Sequence, residues 1–357
     1  MQSMEEEKQG LILSRHFTNA EEFARTIRDS NVEYVPLEAG RYESRIMILQ
    51  HGSILLQRAA DQAHVTRGTI DRHRAALLLP VLQRAPPVVN GRPTEPQDVI
   101  IFRPGSELHA LAPAAVEWGS LSMPLQEADW LLELGGKPCM GSHADPMRLL
   151  PPEIAASIRQ TFSTATDPAW NASGGSEFPA ADTGLRRGLH ELVIEAFSKA
   201  EQLSLPGRAT RDAIRLVGTV EEYLHAAVAR PIYTDALCLA LAVSPRKLHH
   251  AFVAVCGLSP HVYLKRRRLL MVRQALLASC PKASLVKSVA LAHGFWHLGN
   301  FAHDYREQFG ESPSETLAFA GAATVLSTGQ SPPDGPGRAA LRDRFRHSAG
   351  VSPNRAR

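Results

Sequence analysis

The apolar positions of this chain change their spacing near its middle. From Phe17 to about Leu125 they come in short runs: Ile46-Met47-Ile48-Leu49, Ser53-Ile54-Leu55-Leu56, Ala76-Leu77-Leu78-Leu79-Pro80-Val81-Leu82 and Val99-Ile100-Ile101-Phe102. Turn residues such as Ala39-Gly40, Asn90-Gly91 and Pro104-Gly105 separate them. Runs of roughly four to eight residues with regular turn signals predict the strands of a β-sandwich or barrel. One early helix is expected at 19–28, capped by Thr18 or Asn19, with Glu21 and Glu22 in its first turn. Beyond Pro124 the spacing becomes helical, at 126–134, at 151–162, and at 183–202, where Leu185, Leu189, Leu192, Val193 and Ala196 share a face. Ser204-Leu205-Pro206-Gly207 is the best linker, a new helical domain starts near Thr210, and after Ala322 the periodicity gives way to Ser, Gly, Pro and Arg.

The expected architecture is multidomain α+β. A β-rich sensor or oligomerisation domain of sandwich or barrel type occupies 11–140, a helical connector 141–207, an all-α domain 210–320 and a disordered tail 321–357. In that tail Arg338, Arg342, Arg344 and Arg346 would add weak attraction for phosphates.

The all-α domain contains a repeat. In the first unit a helix begins at Thr234, a turn falls at Ala242-Val243, and Ser244-Pro245 supplies a cap and a first-position proline for the next helix. Leu248, Phe252 and Val255 recur at core spacing, which leaves Arg246, Lys247, His249 and His250 outside. Gly257 ends that helix, and Ser259-Pro260 opens a long one that reaches about Ser279. It carries the run Lys265-Arg266-Arg267-Arg268, with Leu264, Leu269, Val272 and Leu276 inward and Lys265, Arg266, Arg268 and Arg273 toward solvent or phosphates. At 1.5 Å per residue it spans close to 30 Å, a strut between neighbouring major-groove segments about 34 Å apart. In the second unit Ser284 caps 285–292, Gly294 ends that helix, Phe295 plugs the turn, and the next helix carries the core stripe Phe301, Tyr305 and Phe309. Its outward residues include His297, Gly299, Asn300, His303 and Arg306, and Gly310 with Ser312-Pro313 repeats the ending of Gly257 with Ser259-Pro260. Two such helix-turn-helix units are a geometry for reading DNA.

Charge supports that direction. Between Arg230 and Gly310 there are eleven Lys/Arg against three Asp/Glu, while the rest of the chain holds 28 against 33. A cationic module is therefore joined to a mildly acidic one. Cys139, Cys238, Cys256 and Cys280 form no C-x-x-C pair, so neither a disulfide framework nor a zinc site is expected. The acidic start Glu5-Glu6-Glu7 does not suit a signal peptide and no apolar run approaches 18 residues, so a cytoplasmic protein without membrane contact is expected.

These residues resemble a family. The segments Val243-Ser244-Pro245-Arg246-Lys247-Leu248, Phe252, Gly257-Leu258-Ser259-Pro260, Tyr263-Leu264, Arg268-Leu269, Ala290, Gly294-Phe295, Phe301, Phe309-Gly310 and Ser312-Pro313 are similar to the DNA-binding domain of AraC/XylS transcription regulators. The resemblance implies two tandem helix-turn-helix subdomains, with Arg246, His249 and His250 at the first set of reading positions and Leu298, Gly299 and His303 at the second. The DNA-contacting set expected here is Arg246, Lys247, His249, His250, Lys265, Arg266, His297, Gly299, Asn300 and His303. Three departures stand out. Ala242 occupies a turn position where the family usually has glycine, Val272 stands where alanine is usual, and Leu298 and Gly299 lack strong donors. Arg268 has two readings, an internal ion pair or a phosphate contact, and Trp296 is expected to pack.

The first half announces no chemistry. His51, His64, His73 and His109 fall among the strands, but no H-x-H with a following Glu is present, and no G-x-S-x-G, P-loop or G-x-G-x-x-G follows a strand. No catalytic residue, metal site or cofactor is expected. Pro104-Gly105, Trp118 and Ser120-Leu121-Ser122-Met123-Pro124 resemble the end of the degenerate cupin-like sensor domain that precedes AraC-type domains. Tyr42, Arg45, Phe102, Arg103, His109 and Trp118 are the pocket candidates. The expected function is a sequence-specific transcription regulator, an activator by family type, controlled by a small-molecule effector. Its expected partners are double-stranded promoter DNA, RNA polymerase and a second copy of the chain. The competing reading is a cupin-type enzyme with an accessory nucleic-acid-binding domain.

Overall fold

The computed structural model describes residues 10–134, 136, 147–171, 183–202, 207–226, 232–278 and 285–328. The caps and loops read at Ser173–Pro179, Ser204–Pro206, Ser279 and Ser284, with Cys139, Cys280 and the tail beyond 328, lie outside those residues.

The first half is a β-sandwich. Strands β1 (Gly10–Phe17), β3 (Ser44–His51), β4 (Ile54–Asp61), β6 (Arg74–Gln83), β9 (Ile100–Phe102) and β11 (Val116–Pro124) belong to one sheet, in the order β1-β3-β4-β11-β6-β9. The second sheet holds β2 (Ser30–Pro36), β5 (His64–Ile70), β7 (Val88–Val89), β8 (Arg92–Pro93) and β10 (Glu107–Ala112), in the order β2-β5-β10-β7-β8. Helix α1 (Ala20–Thr26) is capped as expected, with the Asn19 side chain accepting from the Glu21 and Glu22 amides at 2.9 and 3.3 Å.

The stretch read as a helical connector is helical and more. Behind α2 (Leu125–Leu134) it supplies α3 (Pro152–Asn171) and α4 (Thr183–Lys199), but also β12 (Met147–Leu149) and β13 (Glu201–Gln202), which extend the first sheet beyond β9. Its helices cover the outer face of that sheet, where Met47, Leu56, Leu77 and Leu121 meet Ile158, Phe162 and Val193. Between the sheets a second core gathers Phe23, Tyr34, Ile46, Ile48 and Phe102.

The remaining helices are α5 (Arg208–Ala226), α6 (Thr234–Ala240), α7 (Pro245–Cys256), α8 (Pro260–Leu277), α9 (Leu285–Ala292), α10 (Leu298–Phe309) and α11 (Pro313–Thr328). The last runs past Ala322, where the sequence pattern had faded, as far as Thr328. Their shared core includes Leu248, Phe252, Leu269, Val272, Phe301, Tyr305 and Phe309, and it takes in Val35 and Val65 from the second sheet. Val272 is fully buried there, so the bulkier residue is accommodated in the packing.

Candidate nucleic-acid interface

Both units are built by the same local devices. The Ser244 hydroxyl accepts from the Lys247 amide at 3.3 Å and that of Ser259 from the Val262 amide at 3.4 Å, each ahead of a first-position proline. Ser312 and Glu315 form a reciprocal capping box, with amide-to-side-chain distances of 2.7 and 3.2 Å. Gly257 and Gly310 close α7 and α10 in the left-handed conformation, at φ +66° and +69°. The inner turns also match. The Val243 amide donates to the Cys238 carbonyl and the Phe295 amide to the Ala290 carbonyl, both at 3.0 Å. That six-to-one hydrogen bond needs a left-handed residue just before it. In the second unit that residue is Gly294 at φ +79°; in the first it is Ala242, at φ +50°.

Burial divides each second helix cleanly. On α7, Leu248 and Phe252 are fully buried while Arg246, Lys247, His249 and His250 are exposed. On α10 and its cap, Phe301 and Tyr305 are buried while His297, Gly299, Asn300 and His303 are exposed. The His249 and His250 rings are 6.4 Å apart and inclined at 60°, so they do not converge on one point.

The basic run on α8 is placed differently from its expected role. Lys265 and Arg266, expected among the DNA contacts, are half-buried and turned to protein partners. Lys265 pairs with Asp304 at 2.7 Å, and Arg266 donates to the Pro36 carbonyl at 2.7 Å. Arg267 forms an ion pair with buried Glu221. Arg268 forms none of the ion pairs described. Its guanidinium lies over the rings of Tyr233 and Phe295, 4.9 and 5.3 Å from their centres. The Tyr233 hydroxyl donates to the Gly294 carbonyl at 3.2 Å, so one arginine and one tyrosine tie the start of the first unit to the turn of the second. Arg273 meets Glu311 at 3.1 Å and sits over Phe309. The reason is physical: a helix packed on several neighbours has few faces left for solvent, and its cations find carbonyls and carboxylates. Trp296, expected to pack, is 65% exposed.

The second sheet carries these helices on its back. Glu221 of α5 lies 3.7 Å from Arg67 of β5, and Arg67 also donates to the Gly218 carbonyl at 3.2 Å. The Gly40 amide donates to the Glu307 carbonyl at 2.8 Å, and the Gln308 side chain to the Glu38 carbonyl at 3.4 Å. Both repeated glycine endings abut this seam. A Cβ on Gly257 would meet Leu111 of β10 at 3.4 Å, and one on Gly310 would meet the Arg41 amide nitrogen at 3.0 Å. Burial beside Glu221 pushes the Cys256 thiol up. None of these partnerships had a signal in the sequence, because each joins elements far apart along the chain.

Between the two sheets lies an apolar cavity, with about 880 Å³ of empty space once the open solvent at its mouth is included. Phe102 and Trp118 are in its wall; Tyr42, Arg45, Arg103 and His109 are not. Its polar lining residues, Asp29, Ser30, Tyr34, His64, Thr66, Thr94 and Ser120, were missed. The available signal was the period of two in β2 and β5, where Val32, Tyr34, His64 and Thr66 fall on one face. Elsewhere Ser53, Glu127 and His190 cluster, but Nε2 of His190 serves both Ser53 (3.3 Å) and Glu127 (3.1 Å). A proton relay needs the two ring nitrogens for those two tasks. Among the described residues no group of three or more His, Cys, Asp or Glu could hold a metal ion, and no helix is long and apolar enough to cross a membrane.

Two helix pairs on one strut, each presenting an exposed and largely basic or amide-bearing second helix, define a tandem helix-turn-helix domain. Residues 237–318 match the model of a helix-turn-helix domain, and this part of the chain is the double domain found in AraC-type regulators. The region is 37% identical over 103 residues to a XylDLEGF operon transcriptional activator of Pseudomonas putida, covering 29% of this chain and 31% of that protein. It is 34% identical over 102 residues to a probable thc operon regulatory protein of Rhodococcus erythropolis, with shares of 29% and 31%. The match thus spans about a third of the length of the curated relatives. Among solved structures, a probable AraC family transcriptional regulator from Rhodopseudomonas palustris is 41% identical, covering 30% of this chain and 97% of that one, with a TM-score of 0.27. ToxT from Vibrio cholerae is 12% identical, covering 82% and 99%, with a TM-score of 0.25.

Proposed function

We propose that the protein is a sequence-specific, DNA-binding transcriptional regulator, an activator acting with RNA polymerase, and that a small molecule in the β-sandwich controls it. The observation that carries the first part is the exposed face of α7, where Arg246, Lys247, His249 and His250 stand free of the core in a domain 37% identical to that of a named operon activator. Arg246 near the helix start is suited to a bidentate contact with guanine in the major groove. Lys247, His249 and His250 flank it. From α10 and its cap, His297, Gly299, Asn300 and His303 face the second groove segment, with Asn300 the best equipped for adenine. Leu298 and Gly299 offer no side-chain donor, so this second helix mainly fixes position on the duplex.

Effector control is supported by the construction of the second sheet. Along β2, β5 and β10 the even-numbered residues (Val32, Tyr34, His64, Thr66, Leu108, Ala110) line the cavity. The odd-numbered Val35, Val65, Arg67 and Leu111 contact the helical domain. One sheet thickness therefore separates a bound molecule from α5, α7 and α8, and a ligand that favours one sheet geometry biases the helices. On this reading the domains divide near 140, 207 and 320, and a second copy joins through the sandwich or connector.

Selecting bound sequences from random DNA, with and without small-molecule mixtures, tests the reading directly. Arg246→Ala should weaken binding to the selected site by about 1–3 kcal/mol and leave binding to random DNA nearly unchanged. An equal loss on both would make Arg246 a phosphate contact, and the absence of any selected site would sink the regulator reading.

A further inference from the structure

We infer that the cavity between the two sheets takes an apolar molecule bearing a hydrogen-bond donor and no negative charge. The inference rests on the reading of that cavity as an effector site and adds the chemistry of its occupant. The walls are aliphatic and aromatic, and no Lys or Arg is among the residues that line them. An anion entering here would lose its hydration and find no counter-charge, a large penalty.

The polar groups that do face the cavity are arranged to accept. At one end a chain of hydrogen bonds has a fixed direction. The Arg28 amide donates to Gln57 Oε1 at 2.9 Å, Gln57 Nε2 donates to Ser120 Oγ at 3.0 Å, and Ser120 Oγ donates to Asp29 Oδ2 at 2.7 Å. The backbone amide at the start has only a proton to give, so every later member is set, and the Ser120 proton is already spent on Asp29. Asp29 itself is 5% exposed, and burial pushes its carboxyl above the usual carboxylate range. The Arg74 guanidinium, whose charge acts on Asp29, is committed to Ser122, donating to its hydroxyl at 2.9 Å and its carbonyl at 3.0 Å.

At the other end His64 stacks on Tyr34 with ring centres 4.4 Å apart. Its Nδ1 donates to the Gln62 carbonyl at 2.8 Å, which leaves Nε2 as an acceptor in the uncharged ring. Behind it stands Asp61, 3.4 Å from Nδ1 and wholly buried, a further carboxyl that offers an anionic guest no counter-charge. Between the two ends the Thr66 hydroxyl is buried with no hydrogen-bond partner. A buried hydroxyl of this kind is normally satisfied, and one that lines a cavity is satisfied by what enters it. Acceptors at both ends, a hydroxyl between them and no Lys or Arg in the lining together select an alcohol, phenol or amine on a hydrocarbon body.

The test compares three probes on one skeleton: naphthalene-methanol, naphthalene-methylamine and naphthoate, titrated calorimetrically into the full-length protein at neutral pH. The alcohol and the amine should each bind at least tenfold more tightly than naphthoate. Asp29→Asn, which keeps the shape and can still accept from Ser120, should shrink the preference for the amine over naphthoate to threefold or less. Ala110→Phe, which fills the cavity from β10, should abolish binding of all three. If naphthoate binds as well as the others, or if Asp29→Asn leaves the preference unchanged, the assigned ligand chemistry is wrong while the cavity remains an effector site. If no probe binds the unaltered protein, the effector reading falls and this inference with it.

Discussion

Ala242 holds the left-handed backbone that Gly294 holds in the matching turn of the second unit. An alanine there crowds its Cβ against the backbone, at about 1 kcal/mol, and glycine does not. Ala242 is exposed, so no packing is lost with its methyl group. Part of the gain is offset because glycine is freer in the unfolded chain. Ala242→Gly should therefore raise stability by roughly 0.5–1 kcal/mol, seen as a higher denaturation midpoint with an unchanged slope; a lower midpoint would show that the turn is not strained. At this scale the sequence was highly legible. Caps such as Asn19, Ser244 and Ser259 act through residues two or three positions away, so neighbours in the sequence are enough to identify them. Asp29 and Thr66 were illegible for the opposite reason, since what makes them informative is a cavity closed by two sheets.

The strut α8 shows the same division among elements. Its length, capped start and buried Leu264, Leu269, Val272 and Leu276 follow from periodicity. Its cations do not, because the carbonyl that holds Arg266 is 230 positions away and the carboxylate that holds Arg267 is 46 away. A run of four cations reads as a phosphate-binding face until the other side of the seam is known. Glu221, 1% exposed, is the shared counter-charge of Arg67 and Arg267. Removing it would leave two guanidinium groups facing each other in a mostly dry site, where breaking a buried pair costs roughly 3–5 kcal/mol. Glu221→Gln should destabilise the protein by about 3 kcal/mol in chemical denaturation, while the selected DNA sequence stays the same. A loss below about 1 kcal/mol would mean that the pair is well solvated.

Across the whole molecule the fold class and the doubled helix-turn-helix were readable from sequence, whereas the docking of one half on the other was not. Hydrophobic periodicity reports which face of an element is buried, not what covers it. Val35, Val65 and Leu111 are ordinary strand residues in the sequence, and only the assembled sheet shows that they join the core of the helical domain. This arrangement gives the cavity and the helical domain a common wall in the second sheet.

Gly310 sits at the same seam, against the loop at residues 37–41, as well as at the end of α10. Its backbone needs a left-handed residue, which asparagine also tolerates, while its missing side chain lets the Arg41 amide come within 3.0 Å of where a Cβ would stand. The two demands can be separated. Gly310→Asn should leave the helix ending formed but wedge the loop at residues 37–41 away from α10. Faster amide exchange at Gly40, whose hydrogen bond to Glu307 crosses the seam, would report the opening. Unchanged exchange there would show that the wedge is absorbed locally. The glycine that terminates a helix thus doubles as a latch keeper, and a single codon change there offers a way to unfasten the helical domain from the β-sandwich while the cavity and the exposed faces of α7 and α10 keep their native side chains.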